Sequence, residues 1–181
     1  MHKRLVVCFD GTWNAADSER SETNVARLSR AIRANSGSDG VPQFCLYMRG
    51  VGTSGTALDR LVAGATGAGT EDIIRSGYMF LAQNYVPAHK GPDGRDVPAD
   101  EIFLFGFSRG AFAARSLSGL MGSVGLLKRQ SLPHLHAAWK YYRNFKTRSP
   151  ADFLDRNARK GIETHADVMI DFLGVWDTVG A

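Results

Sequence analysis

The sequence predicts an α/β fold in which a mostly parallel sheet is flanked by helices. Three observations lead to this prediction. Short apolar segments with the composition of buried strands recur along the chain, and segments with helical periodicity separate them. A glycine-flanked serine follows one of these strands, at the start of a helical segment. The chain has 181 residues, enough for a single domain, 1–181, that buries roughly 70% of its unfolded surface.

The first half of the chain predicts two strands and two helices. Arg4 to Asp10 is expected to be a strand because five apolar residues follow one another there. Thr23 or Asn24 suits the N-cap of a helix that runs to about Ala34. Gln43 to Met48 predicts the second strand. Glu71 to Tyr85 predicts a long helix, whose apolar stripe consists of Ile74, Tyr78, Leu81 and Tyr85.

The second half predicts two more strands and two more helices. The two strands are expected from Ile102 to Phe105, buried on both faces, and from Val168 to Trp176. The two helices are expected from Ala111 to Gly119 and from Leu132 to Phe145. The connecting segments are a polar turn from Pro87 to Asp100, a turn from Met121 to Leu127 and a polar stretch from Thr147 to His165. The helix from Leu132 to Phe145 is expected to present a basic, aromatic surface, made by Trp139, Tyr141, Tyr142 and Arg143. That surface belongs either to a lid or lipid-facing element or to a solvated helix face.

Gly106-Phe107-Ser108-Arg109-Gly110 matches the pattern G-x-S-x-G. Strand, sharp turn with serine at its tip, then helix is the order of the nucleophile elbow of α/β-hydrolases. A serine hydroxyl becomes an effective nucleophile when a base takes its proton, and it must stand clear of the backbone. The glycines flank the turn, where a Cβ would collide with strand or helix. The backbone N–H of Arg109 is the expected oxyanion donor.

Asp10-Gly11-Thr12 follows the first strand and forms a second candidate site. Polar residues at the carboxyl end of a buried strand commonly face the ligand crevice of an open α/β sheet. The N–H of Gly11 or Thr12 could supply a second oxyanion donor, or Asp10 could simply cap a structural turn; both interpretations stay open. The phosphatase signature D-x-D-G-T is excluded because Cys8 occupies its nucleophilic position.

Gly50-Val51-Gly52-Thr53-Ser54-Gly55 is a literal G-x-G-x-x-G after a strand. A dinucleotide loop also requires a helix that opens on the third glycine and an acid at the end of the next strand. Glu71 and Asp72 instead lie at the start of a helical pattern. We therefore interpret the stretch as the rim of an active site, with Gly52 and Thr53 as lining residues. No cofactor is expected, and no cluster of residues has metal-ligand spacing.

Asp177 follows the last predicted strand, downstream of the elbow. Hydrolases of this class place the acid of the catalytic triad there, where it holds a histidine in one tautomer. The alternative is an ordinary aspartate in a turn.

Composition excludes several classes of protein. The formal net charge is +4, without a basic run of the kind that binds nucleic acid. Cys8 and Cys45 lie in apolar strand segments and are expected to be buried free thiols. The N-terminal apolar run is short and reaches Asp10, unlike a signal peptide, and no segment has the length of a membrane span. We expect a chain made in the cytoplasm, with export without a signal still compatible.

The chain resembles a family of α/β-hydrolase domains, formerly uncharacterised, that includes the catalytic domains of type VI secretion phospholipase effectors. The resemblance implies a Ser-Asp-His esterase or phospholipase with Ser108 as nucleophile and Asp177 as acid. The expected substrate is a small-molecule or lipid ester, and the resemblance is compatible with peripheral membrane contact and with a secretion-system or immunity partner. The matching segments are 8–14, 23–25, 50–53, 105–111 with Arg115, and 174–180.

The chain departs from this pattern at the base. The order in this fold is serine, acid, histidine, yet none of the five histidines follows Asp177. Either the chain is the N-terminal portion of a domain whose last strands and histidine lie beyond Ala181, or a histidine such as His165 is recruited from elsewhere. The alternative function from another class is a non-catalytic, hydrolase-like binding module.

Overall fold

The computed structural model describes residues 2–11, 22–34, 39–50, 68–144, 148–165 and 167–180. In these ranges the strands are β1 (Arg4–Phe9), β2 (Gln43–Met48), β3 (His89–Lys90), β4 (Asp96–Val97), β5 (Glu101–Phe107), β6 (Leu126–Leu127), β7 (Thr164–His165) and β8 (Phe172–Trp176). The helices are α1 (Asn24–Ala31), α2 (Ala68–Asn84), α3 (Arg109–Val124), α4 (Leu135–Asn144) and α5 (Pro150–Arg156), with 3₁₀ turns at Arg129–His134 and Ala158–Lys160.

In the part of the chain that the structure describes, the main sheet has four parallel strands in the order β2-β1-β5-β8. Phe9 lies opposite both Met48 and Gly106, and Phe107 lies opposite Trp176. The carboxyl ends of all four strands therefore lie along one edge of the sheet. The structure confirms the predicted α/β-hydrolase-like class, a mainly parallel sheet flanked by helices.

One face of the sheet holds the larger core. Leu5, Val7 and Phe9 of β1 are fully buried there against α2 and α3. The predicted stripe of α2 packs into the same core through Ile74, Tyr78 and Leu81. The buried Tyr78 hydroxyl forms two hydrogen bonds: it donates to Gly125 O (2.9 Å) and accepts from Leu127 N (2.8 Å). Helix α2 is thus fixed to the segment that follows α3.

The opposite face of the sheet is covered by α1 and carries a row of half-buried aromatic rings. The rings of β5 point there, and Phe105 stacks against Trp176 of β8 at 6.4 Å between centroids. Gly174 lies against the rings of Phe105 and Phe172, and a Cβ there would approach each of them to 2.8 Å. Strand β5 consequently alternates between buried and half-buried residues, so the expectation of full burial on both faces was wrong.

Several predicted boundaries differ from the observed ones. Strand β8 begins at Phe172 rather than Val168; the Asp171 carboxylate accepts from Ile102 N at 2.7 Å and so fixes the strand's start. Helix α3 extends to Val124, so the predicted turn from Met121 is the end of a helix followed by β6. Helix α4 begins at Leu135 after a 3₁₀ turn instead of at Leu132.

Two segments hold more structure than their polar composition predicted. The turn from Pro87 to Asp100 contains the β3–β4 hairpin. The stretch from Thr147 to His165 contains α5, whose N-cap Ser149 accepts from Asp152 N at 3.2 Å. Phe153 of α5 is fully buried. Two adjacent apolar residues, Phe153 and Leu154, pack into the core, and so short a pattern is easily missed.

The two cysteines are free, as predicted, but they differ in burial. Cys8 is buried and Cys45 on the edge strand β2 is exposed, so the expectation of two buried thiols was wrong for Cys45. Their Sγ atoms are 4.0 Å apart. Cys8 pairs with Tyr47 rather than with Cys45 in the register, a diagonal relation whose Cα separation of about 7–8 Å exceeds the range of an unstrained disulfide.

Candidate active site

The G-x-S-x-G segment forms a sharp turn with a single residue between strand and helix. Ser108 follows β5 directly, is the N-cap of α3, and has φ 55° and ψ −120°. A positive φ is unfavourable for a residue with a Cβ, so the surroundings must hold it in place. Ser108 N donates to Trp176 O (2.9 Å), and Ser108 O accepts from Val179 N (3.3 Å).

The two glycines of the motif are required by close backbone contacts. A Cβ at Gly106 would lie 2.4 Å from Gly110 O, and a Cβ at Gly110 would lie 2.3 Å from Phe9 O. The first contact is the packing of the helix start on its own strand. The second is the packing of that helix start on the neighbouring strand β1. Both glycines are therefore explained by the collision that a Cβ would make with backbone atoms, which is the cause that the sequence suggested.

Asp177 lies beside Ser108 at the end of the adjacent strand. Phe107 and Trp176 are paired in the register, so the two following residues are about one strand spacing apart, roughly 5 Å between backbones. Asp177 is exposed and has φ 43°. Within the described ranges, Ser108 and Asp177 are the two non-glycine residues with positive φ.

Arg109 is the first residue of α3. Its backbone N–H therefore belongs to the first helical turn, where the helix supplies no i−4 acceptor and the dipole favours negative charge. This is suitable geometry for an oxyanion donor. Arg115, one and a half turns further along α3, donates from Nε to Thr178 Oγ1 at 3.2 Å. Sequence reasoning assigned no role to this contact, which ties the loop after Asp177 to the helix that begins after Ser108.

Asp10 is buried, 1% exposed, at the carboxyl end of β1. Its carboxylate accepts three hydrogen bonds, from Gly11 N (2.7 Å), Thr23 Oγ1 (2.8 Å) and Tyr47 Oη (2.5 Å). The Gly11 N–H is thus already engaged and does not point to a separate oxyanion. These contacts favour the interpretation of Asp10 as a cap that joins β1, β2 and the start of α1. Thr12, Gly52 and Thr53 lie outside the described residues.

We expect Asp10→Ala to lower the free energy of unfolding by about 3 kcal/mol, because three donors lose their acceptor in a buried site. Tyr47→Phe removes a single donor and should cost about 1 kcal/mol. Thr23→Ala also removes the N-cap acceptor of Ala26 N and should cost about 2 kcal/mol. Urea unfolding followed by circular dichroism measures all three. A chain that keeps full stability without the Asp10 carboxylate contradicts the structural role.

All five histidines lie within the described ranges, and none hydrogen bonds to Ser108 or Asp177. His2 pairs with Glu101 at 3.6 Å at the amino end of the strands. His165 lies in β7, with its ring 5.4 Å from that of Tyr85; burial, with a smaller effect of Lys128, lowers its pKa. The main chain of His165 contacts Gly125, past the far end of α3. A helix of 16 residues separates it from Ser108 by roughly 24 Å, so this placement does not support His165 as the base.

No group of three or more His, Cys, Asp or Glu side chains in the described ranges is arranged to hold a metal ion. In the same part of the chain, no helix combines the length and apolar character needed to cross a membrane.

Comparison with known proteins places this geometry in context. The chain is 27% identical over 198 aligned residues to an uncharacterised protein of Saccharomyces cerevisiae, in an alignment that covers 99% of the chain and 27% of the yeast protein. The chain thus spans about a quarter of the length of this curated relative. No solved structure matches the chain. The model of the family described as "T6SS, Phospholipase effector Tle1-like, catalytic domain" matches residues 3–181. The chain therefore belongs to the Tle1-like catalytic domain family of type VI secretion phospholipase effectors.

Proposed function

We propose that this chain carries the nucleophile and the acid of a serine hydrolase that cleaves carboxylic esters of phospholipids. The observation that supports this most directly is the pair of positive-φ residues at adjacent strand ends. Ser108 projects from a turn between β5 and α3, and Asp177 follows the neighbouring strand. Backbone strain at two non-glycine residues side by side is typical of functional sites. Membership of the phospholipase effector family gives the substrate class.

The proposed reaction is acyl transfer through a covalent intermediate. The Ser108 hydroxyl oxygen attacks the ester carbonyl carbon while a histidine takes the hydroxyl proton. The carbonyl oxygen becomes an oxyanion, and the N–H of Arg109 donates to it. Collapse expels the alcohol, which receives the proton from the histidine, and water then hydrolyses the acyl-enzyme. Asp177 holds the imidazole in the required tautomer. No step needs a metal ion or an organic cofactor.

The base of this mechanism is proposed to be a histidine of polypeptide that follows residue 181. The five histidines of the chain lie away from Ser108, at the amino end of the strands, in the β3–β4 hairpin or in the region that follows α3. Among the described strands, β8 also has a single neighbour in the sheet, and Phe172 on it is 51% exposed. An edge strand without charge or proline is able to pair with a further strand. The proposed polypeptide after residue 181 would both supply the histidine and pair with the open edge of β8.

The lack of a base near Ser108 among the described residues also favours a second candidate function, a hydrolase-like module that binds a partner without catalysis. The two candidates differ in the reactivity of one hydroxyl. A catalytic elbow makes Ser108 far more reactive than other serines, whereas a binding module does not.

Fluorophosphonate labelling, read by intact-mass spectrometry, tests the proposal. We expect a chain extended past Ala181 to gain one label, and Ser108→Ala to abolish it. Residues 1–181 alone should label slowly, because removing a triad member costs on the order of a million-fold in rate. The absence of labelling in a folded, extended chain contradicts the hydrolase. Fast, selective labelling of residues 1–181 alone keeps the hydrolase and contradicts the external base.

A further inference from the structure

The charge of the chain is unevenly distributed. Residues 128–160 contain nine Lys and Arg residues and two Asp residues, a net charge of +7. Since the whole chain carries +4, the remaining residues carry −3. A net charge that separates in this way along a chain indicates an interaction surface for a polyanion rather than general solubility. The proposed catalytic residues lie outside this region.

The structure gathers part of this charge on one outer surface, formed by α4, α5 and the 3₁₀ turn Ala158–Lys160. We call the exposed side chains of Lys140, Arg156, Arg159 and Lys160 the cationic surface. Lys140, Arg156 and Lys160, together with Asn157, line a groove of about 360 Å³. Cations that come from three successive elements thus converge on one depression.

Much of this charge is not neutralised by acidic side chains. Arg156 pairs with Asp152 at 2.7 Å. Within the described ranges, by contrast, Lys140, Arg159 and Lys160 form no ion pair, and the Lys160 ammonium donates to the neutral Asn157 Oδ1 at 3.0 Å. A groove lined by two unneutralised ammonium groups, one paired guanidinium and an amide has the chemistry to bind phosphate oxygens.

Two of the three aromatic residues of α4 expose little of their side chains at this surface, although Tyr141 reaches the lining of the groove. Trp139 and Tyr141 are buried, and the Tyr141 hydroxyl donates to Asp152 Oδ2 at 2.6 Å. The prediction of a basic, aromatic surface was therefore wrong for Trp139 and Tyr141, whereas Tyr142 is half-buried. Buried rings can neither insert into a bilayer nor stack on nucleic-acid bases. Binding at this surface must rely on charge.

The cationic surface is firmly attached to the helix that begins after Ser108. Tyr142 of α4 packs against Gly119 of α3, where a Cβ would lie 3.1 Å from its hydroxyl. Phe153 of α5 is buried in the same core, with its ring 5.3 Å from that of Tyr141. An anionic surface bound by α4 and α5 would therefore hold α3, and the elbow at its start, in a fixed orientation.

We propose that the cationic surface docks this domain on anionic phospholipid membranes through headgroup phosphates. The inference rests on the proposed phospholipase function for its choice of a lipid rather than another polyanion. It adds a second site, separate from Ser108, that concentrates the domain at the interface where its substrate lies. Because the contact is electrostatic, binding should weaken sharply as salt rises from about 0.1 M to about 0.5 M.

Vesicle co-sedimentation with Ser108→Ala tests the proposal independently of catalysis. The probes are vesicles of phosphatidylcholine alone and vesicles in which about one third of the lipid is phosphatidylglycerol. We expect binding to the anionic vesicles only. The triple variant Lys140→Gln, Arg159→Gln, Lys160→Gln should bind roughly 100-fold more weakly, since each cation near an anionic bilayer contributes about fivefold.

A matched control removes the same charge elsewhere. Arg33→Gln, Lys90→Gln, Arg95→Gln also deletes three exposed cations and should change vesicle affinity less than fivefold. Both triple variants should keep the parent's thermal unfolding midpoint.

Equal losses of vesicle affinity in the two variants, or no binding to anionic vesicles, would overturn the proposal. Tight binding of duplex DNA that is lost in the first triple variant, without vesicle binding, would overturn it in favour of a nucleic-acid surface. Failure of Ser108 to label with fluorophosphonate would contradict the hydrolase and leave this binding result unaffected.

Discussion

Asp177→Asn should reduce the rate of ester hydrolysis about 10⁴-fold in a chain that carries its base, with little change in KM. The amide cannot stabilise the imidazolium, and it favours the wrong tautomer of the histidine. Asparagine is the informative substitution here because it tolerates the left-handed region, so the backbone at φ 43° is retained. Alanine would add backbone strain to the same loop, so the effect of that strain on the rate could not be separated from the loss of the carboxylate. A short-chain ester assay with purified protein gives kcat and KM.

The control for this prediction is Asp93→Asn, which changes an exposed aspartate in the β3–β4 hairpin and should leave kcat within twofold of the parent, within the range of surface substitutions. A drop of less than tenfold for Asp177→Asn, with a normal control, would show that Asp177 is a turn residue and that another group orients the base.

Gly110→Ala should lower the free energy of unfolding by about 3 kcal/mol and the unfolding midpoint by roughly 10 °C. The added Cβ would lie 2.3 Å from Phe9 O and 2.6 Å from Asp10 O. Strand β1 cannot move aside, because it is paired with β2 and β5 on its two edges. The start of α3 must shift instead, and Ser108 shifts with it. Fluorophosphonate labelling should therefore fall together with stability.

Gly122→Ala is the matched control in the same helix. Nothing lies within 4 Å of a Cβ at Gly122, so the substitution should raise stability by up to about 1 kcal/mol through helix propensity. Differential scanning calorimetry compares the two variants directly. If Gly110→Ala were as stable as the control, the close packing of α3 on β1 would be contradicted, and with it the explanation of the motif's second glycine.

The sharp turn at Ser108 between strand and helix could be predicted from the sequence because its causes are local. Strand, glycine, serine, glycine and helix follow one another within a few residues, and each residue type has a steric reason that its neighbours reveal. The same holds for Thr23, the predicted N-cap of α1, whose hydroxyl accepts from Ala26 N at 3.0 Å. The strand Gln43–Met48 was predicted to the residue. Short-range geometry of this kind leaves a pattern in the sequence.

The sequence alone determined the fold class, the nucleophile candidate and the position of Asp177 after a strand. Only the tertiary structure decided that Asp177 lies beside Ser108, that the Asp10 carboxylate is occupied by three donors, and that His165 lies beyond the far end of α3. These facts depend on strand order and on contacts between residues far apart in the chain. Periodicity and composition report the immediate neighbours of a residue, and the order in which parallel strands assemble is set by packing of the whole core.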